Sequence, residues 1–220
     1  VLWDIGGVIL DPDSVQRGRD LFVATLAVRF DLQPSEASEV WDRELGAYFR
    51  ERDGNTFRPA HRGYQRALEA VVGEPVSVDE WLPLAAQAAH VAFQPVDGAV
   101  ETIRTLAEGG CYLGVVSDID AWEAEFLLTA FGIRELFDHM TTSAEVGLTK
   151  PAPEIFETAL RRSPAEAGRT LFVGDRYEND MRGGKRSGLV TVAFGDATEQ
   201  ASDDDPLVDF VIDDPRDLLD

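Results

Sequence analysis

Three short apolar runs in this chain each end on a polar side chain, and helical patterns fill the intervals between them. Val1-Leu2-Trp3 leads into Asp4, Leu113-Gly114-Val115-Val116 into Ser117-Asp118, and Leu171-Phe172-Val173-Gly174 into Asp175. Val100, Ile103, Leu106 and Ala107 recur at helical spacing, and so do Ile155, Phe156, Ala159 and Leu160 behind Pro151 and Pro153. Strands alternating with helices predict an α/β fold with a parallel sheet. In an open parallel sheet, functional groups collect at the carboxyl ends of the strands. Asp4, Ser117 and Asp175 would all stand there.

Residues 13–95 follow a different pattern. Four amphipathic helices are expected, at Ser14–Phe30, Ser35–Arg50, Pro59–Val72 and Val78–Ala92, with a turn at Asp53-Gly54-Asn55-Thr56. Pro12 and Pro95 bound this stretch. The expected organisation is therefore a discontinuous α/β core, 1–12 and 96–220, interrupted by a helical insert, 13–95. Phe210-Val211-Ile212 reads as a last strand and Glu199 to Asp205 as a solvated acidic loop. Cys111 reads as a core thiol on a buried strand. As the single cysteine, it excludes an intramolecular disulfide framework and a multi-cysteine zinc site.

Charge narrows the partners. The net charge is −21, and only Lys150 and Lys185 are lysines. Such a surface disfavours nucleic acid and anionic membranes. Acidic excess with scarce lysine also fits adaptation to high salt, where screening relieves self-repulsion. No apolar run approaches the roughly 20 residues of a membrane span. The chain opens on Val1 inside a strand, so a few residues are expected ahead of it. With no secretory signal visible there, a cytoplasmic location is expected. The sequence leaves monomer and homodimer both open.

The polar strand tips have chemistry of their own. Asp4 is followed by Ile5-Gly6-Gly7, a tight turn whose backbone amides suit an oxyanion, although an Asp before glycines also serves as a simple cap. Asp175 and Asp180 follow the third run, where they fit either a helix N-terminus or a cation site. Gathering Asp4, Asp175 and Asp180 without a cation would cost several kcal/mol or drive their pKa values up. Magnesium, held by a few carboxylates and waters, resolves that conflict. Lys150, in a turn before Pro151, can balance charge on a nucleophile and a phosphate. Ser117 offers a hydroxyl to a phosphate oxygen, or a helix cap.

Asp4-x-Gly6-Gly7-Val8, Ser117, Lys150-Pro151 and Gly174-Asp175 through Asp180 resemble, in order and spacing, the four motifs of haloacid dehalogenase-type hydrolases. Phe131-Gly132-Ile133, Phe137-Asp138 and Ser143 through Gly147 look like that family's connecting segments. The resemblance implies a Rossmann-like parallel-sheet core sandwiched by helices, with an inserted four-helix cap. It implies a magnesium-dependent phosphohydrolase acting on a small phosphorylated metabolite. Asp4 would attack phosphorus and form an aspartyl-phosphate. Asp4, the Gly6 carbonyl, Asp175 and Asp180 would hold Mg2+. Ser117 and the Gly7 amide would bind the phosphoryl oxygens, and Lys150 would balance charge. Asp118 would orient phosphate or water, or cap a helix.

One departure bears on mechanism. Phosphatases of this type usually carry a second aspartate two residues after the nucleophile, as general acid and base, and this chain has Gly6. That assistance is typically worth about 10²–10⁴-fold, so a bias toward leaving groups that depart as stable anions is expected. The departure also admits two alternatives, a 2-haloacid dehalogenase-like hydrolase and a non-catalytic binder of a phosphorylated metabolite. Asp175 and Asp180 weigh against the dehalogenase. A phosphonate-cleaving relative needs a cap lysine, and residues 13–95 contain none. Within the insert, Arg50, Arg58, His61 and Arg62 are candidates for substrate selection, with surface ion pairing the alternative for the arginines. Trp41 and Phe49 read chiefly as packing residues.

Overall fold

The computed structural model describes residues 1–202 and 204–219. The chain divides into two compact units: Val1–Asp11, Asn55–Phe57 and Pro95–Asp220 in the first, Pro12–Gly54 and Arg58–Gln94 in the second.

The first unit is a six-stranded parallel sheet. Its strands are β1 (Leu2–Trp3), β2 (Gly114–Ser117), β3 (His139–Thr142), β4 (Leu171–Gly174), β5 (Val190–Ala193) and β6 (Phe210–Val211), in spatial order β3-β2-β1-β4-β5-β6. The chain builds outward from β1 to β3, then crosses back to place β4 on the other side of β1. That reversal makes the β1/β4 boundary the switch point at which parallel sheets open a crevice. Register aligns Trp3 with Val115 and Val173, so the residues that follow these strands share one edge. β2 is buried throughout, which explains why it reads as an uninterrupted apolar run. Below it, Phe156 of the helix Pro153–Arg162 meets Phe172 edge to face at 5.2 Å, both fully buried. Each such side chain contributes about 1.5–3 kcal/mol by burial.

Two sequence expectations change here. Cys111 is exposed and precedes β2 rather than lying within it. The helix Ala99–Glu108 ends on Gly110 at φ +79°, and Cys111 N–H closes that end by donating to Leu106 O at 3.0 Å. A helix stop of this kind uses residues that an apolar pattern assigns to the strand. The acidic stretch is partly helical, since Asp196–Gln200 forms a short helix. Of the rest, Asp203 lies outside the described residues.

The second unit contains α1 (Pro12–Arg29), α2 (Pro34–Arg50), α3 (Ala60–Val72) and α4 (Val78–Ala92). Ser77 and Glu80 form a capping box that starts α4, and Gly73, at φ +83°, stops α3. Its core is aromatic: Phe22 meets Trp41 edge to face at 5.3 Å, and Trp41 stacks on Tyr64 at 5.8 Å. Trp41 therefore packs, as expected. Among the described residues, no helix is long and apolar enough to cross a membrane.

Candidate active site

The carboxyl edge of β1, β2 and β4 gathers a buried charge cluster. Asp4 follows β1, and its N–H completes the pairing to Val173 O at 3.0 Å. Asp175 follows β4, and Asp180 sits in the wide turn Tyr177–Met181 just beyond. Carboxylate oxygens of Asp4, Asp175 and Asp180 lie within 4.8 Å of one another. Lys150 Nζ stands between two of them, 2.7 Å from Asp4 Oδ2 and 2.7 Å from Asp180 Oδ1, with all three side chains buried. The same ammonium donates to Val116 O at 3.3 Å and lies 5.4 Å from the Phe172 ring centroid.

Two glycines make the cluster sterically possible. A Cβ on Gly7 would come within 2.0 Å of Asp175 Oδ2, and Gly7 holds φ +72°. A Cβ on Gly174 would come within 2.4 Å of Asp180 Cβ. Gly6 differs from both: it is exposed, and a Cβ there would meet nothing within 4 Å.

The electrostatics are unbalanced. Burial, reinforced by Asp4 and Asp180, pushes the Asp175 carboxyl up to about 7. Burial also raises Asp180, against the pull of Lys150. On Lys150 burial works to strip the proton, but Asp180, Asp4 and Asp118 outweigh it and hold the ammonium firmly charged. Asp4 Oδ2, Asp175 Oδ1 and Asp180 Oδ1 are buried and accept no hydrogen bond of good geometry. The first and last have only their ion pairs with Lys150. Buried carboxylate oxygens with so little compensation are a donor set suited to a hard divalent cation.

Two expected phosphate ligands are occupied by the protein. The Gly7 N–H donates to Leu10 O at 3.0 Å, because the turn after Asp4 closes on itself. Asp118 holds loops together: Oδ1 accepts Ser143 Oγ at 2.7 Å and Lys150 N–H at 2.8 Å, and Oδ2 lies 3.3 Å from Arg176. A carboxylate so engaged positions the Lys150 backbone. Ser117 ends β2, buried, on the same edge. Ser143 is a participant that sequence reading passed over, being visible only as part of a connecting segment. Arg50, Arg58, His61 and Arg62 belong to the second unit. There Arg58 donates to Tyr48 O at 2.5 Å and lies 3.9 Å over the Tyr48 ring, an intra-unit packing role.

Comparison with known proteins bears on family and fold. A family model described as haloacid dehalogenase-like hydrolase matches residues 1–188. The glyceraldehyde 3-phosphate phosphatase of Methanopyrus kandleri is 37% identical over 133 residues, 58% of this chain and 56% of the relative. The chain thus spans only a little over half the length of that relative. The HAD-hydrolase YfnB from Bacillus subtilis, solved bound to magnesium, matches with a TM-score of 0.71 at 19% identity, covering 99% of this chain and 95% of its own. The L-2-haloacid dehalogenase RSc1362 matches with a TM-score of 0.70 at 23% identity over the same shares. At such identities a magnesium-bound HAD-hydrolase and a dehalogenase are equally good likenesses, and the agreement is one of fold. From the match over residues 1–188 and the four motifs on one sheet edge, the chain belongs to the haloacid dehalogenase-like hydrolases.

Proposed function

We propose that the protein is a magnesium-dependent phosphohydrolase that transfers a phosphoryl group from a small metabolite onto Asp4 and then to water. The observation that carries this reading is the buried cluster of Asp4, Asp175 and Asp180 around Lys150. A nucleophile that attacks carbon needs no third and fourth charge beside it. A carboxylate that attacks a phosphate dianion needs added positive charge because like charges must approach, and Asp175 and Asp180 would supply it by holding a cation.

Asp4, Asp175 and Asp180, with the Gly6 carbonyl, would hold the cation. When bound, magnesium supplies positive charge that neutralises the phosphoryl oxygens. The remaining steps belong to the chain. Asp4 attacks phosphorus, the bond to the leaving oxygen breaks, and the electron pair departs with the leaving group. Lys150 holds the Asp4 carboxylate in place by its ion pair and offsets the charge arriving with the substrate. Ser117 donates its hydroxyl to a phosphoryl oxygen, and Asp118 positions Lys150 through its backbone. Water then attacks the acyl phosphate at phosphorus, releasing inorganic phosphate and restoring the Asp4 carboxylate.

Gly6 supplies no proton to the leaving oxygen, so acyl and aryl phosphates are the favoured substrates. The helical unit plays the part of the family's cap, with the insert running over residues 13–95. The name of the Methanopyrus relative is consistent with a small phosphorylated metabolite as substrate. The proposed setting is the cytoplasm of a salt-adapted cell, with neither nucleic acid nor membrane as partner and the protein a monomer or homodimer.

Phosphate release from esters graded by leaving-group pKa, with magnesium or with chelator, tests the reading. Release from acyl and aryl esters that stops with chelator is expected. Halide release from 2-haloacids without metal, and no phosphate from any ester, would replace it with the dehalogenase.

A further inference from the structure

The turn that carries Asp180 is held from a part of the chain beyond residue 188, where the match to the family ends. Tyr177 opens that turn, and its hydroxyl donates to Asp205, 2.9 Å from one carboxylate oxygen and 3.1 Å from the other. Asp205 is fixed in its turn. One oxygen accepts Leu207 N–H at 2.8 Å and the other Ser202 N–H at 3.4 Å. Leu207 and Val208 then pack with Tyr177 against Met181, Ala193 and Ala197. At the start of the same segment, Gly195 runs past Asp175: a Cβ there would lie 3.6 Å from Asp175 Cβ and 3.8 Å from Gly7 O.

The geometry points to Tyr177 and Asp205 as a positioning pair that keeps Asp180 and Asp175 within reach of one cation. This inference rests on the metal reading given above. Its physical basis is that the Tyr177–Met181 turn is of the wide, i→i+5 kind, which supports itself poorly and recurs as a single turn at functional sites. Lys150 pairs with Asp180 at 2.7 Å, but Asp175 and Asp180 still repel one another, and an outside tether helps to hold them close before a cation binds. Tyr177 touches no reacting atom; it acts through the turn. Residues that orient metal ligands in this way typically alter affinity by about 10–100-fold when removed.

Calorimetric titration of magnesium into the metal-free protein tests this, alongside its melting temperature without metal. Tyr177→Phe and Asp205→Ala are expected to weaken magnesium binding by about 10-fold each. The double variant should be no weaker than either single, because one tether is lost in all three. Asp205→Asn keeps an oxygen that accepts the Tyr177 hydroxyl and should recover most of the affinity. If Tyr177→Phe binds magnesium as tightly as the unaltered protein, whatever happens to its melting temperature, the pair is structural only and the inference fails. If the unaltered protein itself binds no magnesium, the metal reading fails and takes the inference with it.

Discussion

The two edges of the parallel sheet bury polar groups in opposite ways. At the carboxyl edge, Asp4, Asp175 and Asp180 crowd around a single lysine, and one oxygen of each lacks a well-formed hydrogen bond. At the amino edge the polar groups mostly satisfy one another. Tyr112 hydroxyl donates to Arg162 O at 2.6 Å and lies 3.0 Å from His139 Nδ1; Val1 N–H donates to Tyr112 O at 2.6 Å; Asp138 accepts Leu113 N–H at 2.8 Å. Both edges terminate the same strands, so strand geometry does not account for the difference. A satisfied network stabilises a fold, whereas concentrated like charge is a cost that a bound ligand offsets. The carboxyl edge is where the molecule departs from its own stability optimum.

Removing the lysine at the centre of the carboxyl-edge cluster should be the most damaging change. Lys150→Met leaves Asp4 and Asp180 buried without their counter-ion, and loss of one partner from such a cluster costs about 3–5 kcal/mol. Denaturant unfolding of the metal-free variant should show that loss, and magnesium should recover part of it. A variant as stable as the parent would mean that the carboxylates are not ionised together.

The neighbouring glycines divide the same edge more finely. Gly7→Ala forces a side chain into φ +72° and against Asp175, so magnesium affinity should fall about 10- to 100-fold. Gly6→Ala enters open space and should leave that affinity unchanged. Equal behaviour of the two variants would remove the steric account of the cluster.

How much of this was readable from sequence follows the same division. The apolar runs and their polar ends were legible because a buried parallel strand has a recognisable composition, and because Asp4, Ser117 and Asp175 each sit at a run's end. The four helical stretches were legible from periodicity and Pro or Gly punctuation. Pairings between distant positions were not. Nothing near Asp118 announces that it accepts the Lys150 N–H, and Gly7 shows that a turn is tight without showing that Asp175 occupies the space. Cys111 was misassigned because a hydrophobic pattern does not register the residues used in ending a helix.

At the amino edge the expected effect is smaller and purely structural. Tyr112→Phe removes the donor to Arg162 O, worth about 1 kcal/mol, so the melting temperature should drop by about 2–4 °C with phosphate release unaffected. Altered turnover would show that the edges are coupled.

The subtlest contrast lies in pH. Burial and the nearby Arg162 lower the His139 imidazole to about 4, below its unfolded value. The unfolded chain therefore takes up a proton first, and stability is lost as pH falls from about 6.5 toward 4. Asp175 runs the other way. Its folded pKa, about 7, lies above the unfolded one near 4, so stability present at low pH is lost as pH rises from about 4 to about 7. Between about pH 4 and 7 the two slopes oppose, so in metal-free protein His139→Gln should lessen the loss of stability toward low pH and Asp175→Asn the loss toward neutral pH. Saturating magnesium should erase only the Asp175 component. A profile that neither substitution changes would place the titrating groups elsewhere.

If Asp4 carries the phosphoryl group, an acid quench during turnover of an acyl or aryl phosphate with magnesium should trap it there. Mass spectrometry of the peptides should find one phosphoryl group on the segment containing Asp4, and neither that adduct nor phosphate release in Asp4→Asn. Phosphate release at an undiminished rate from Asp4→Asn would contradict the account.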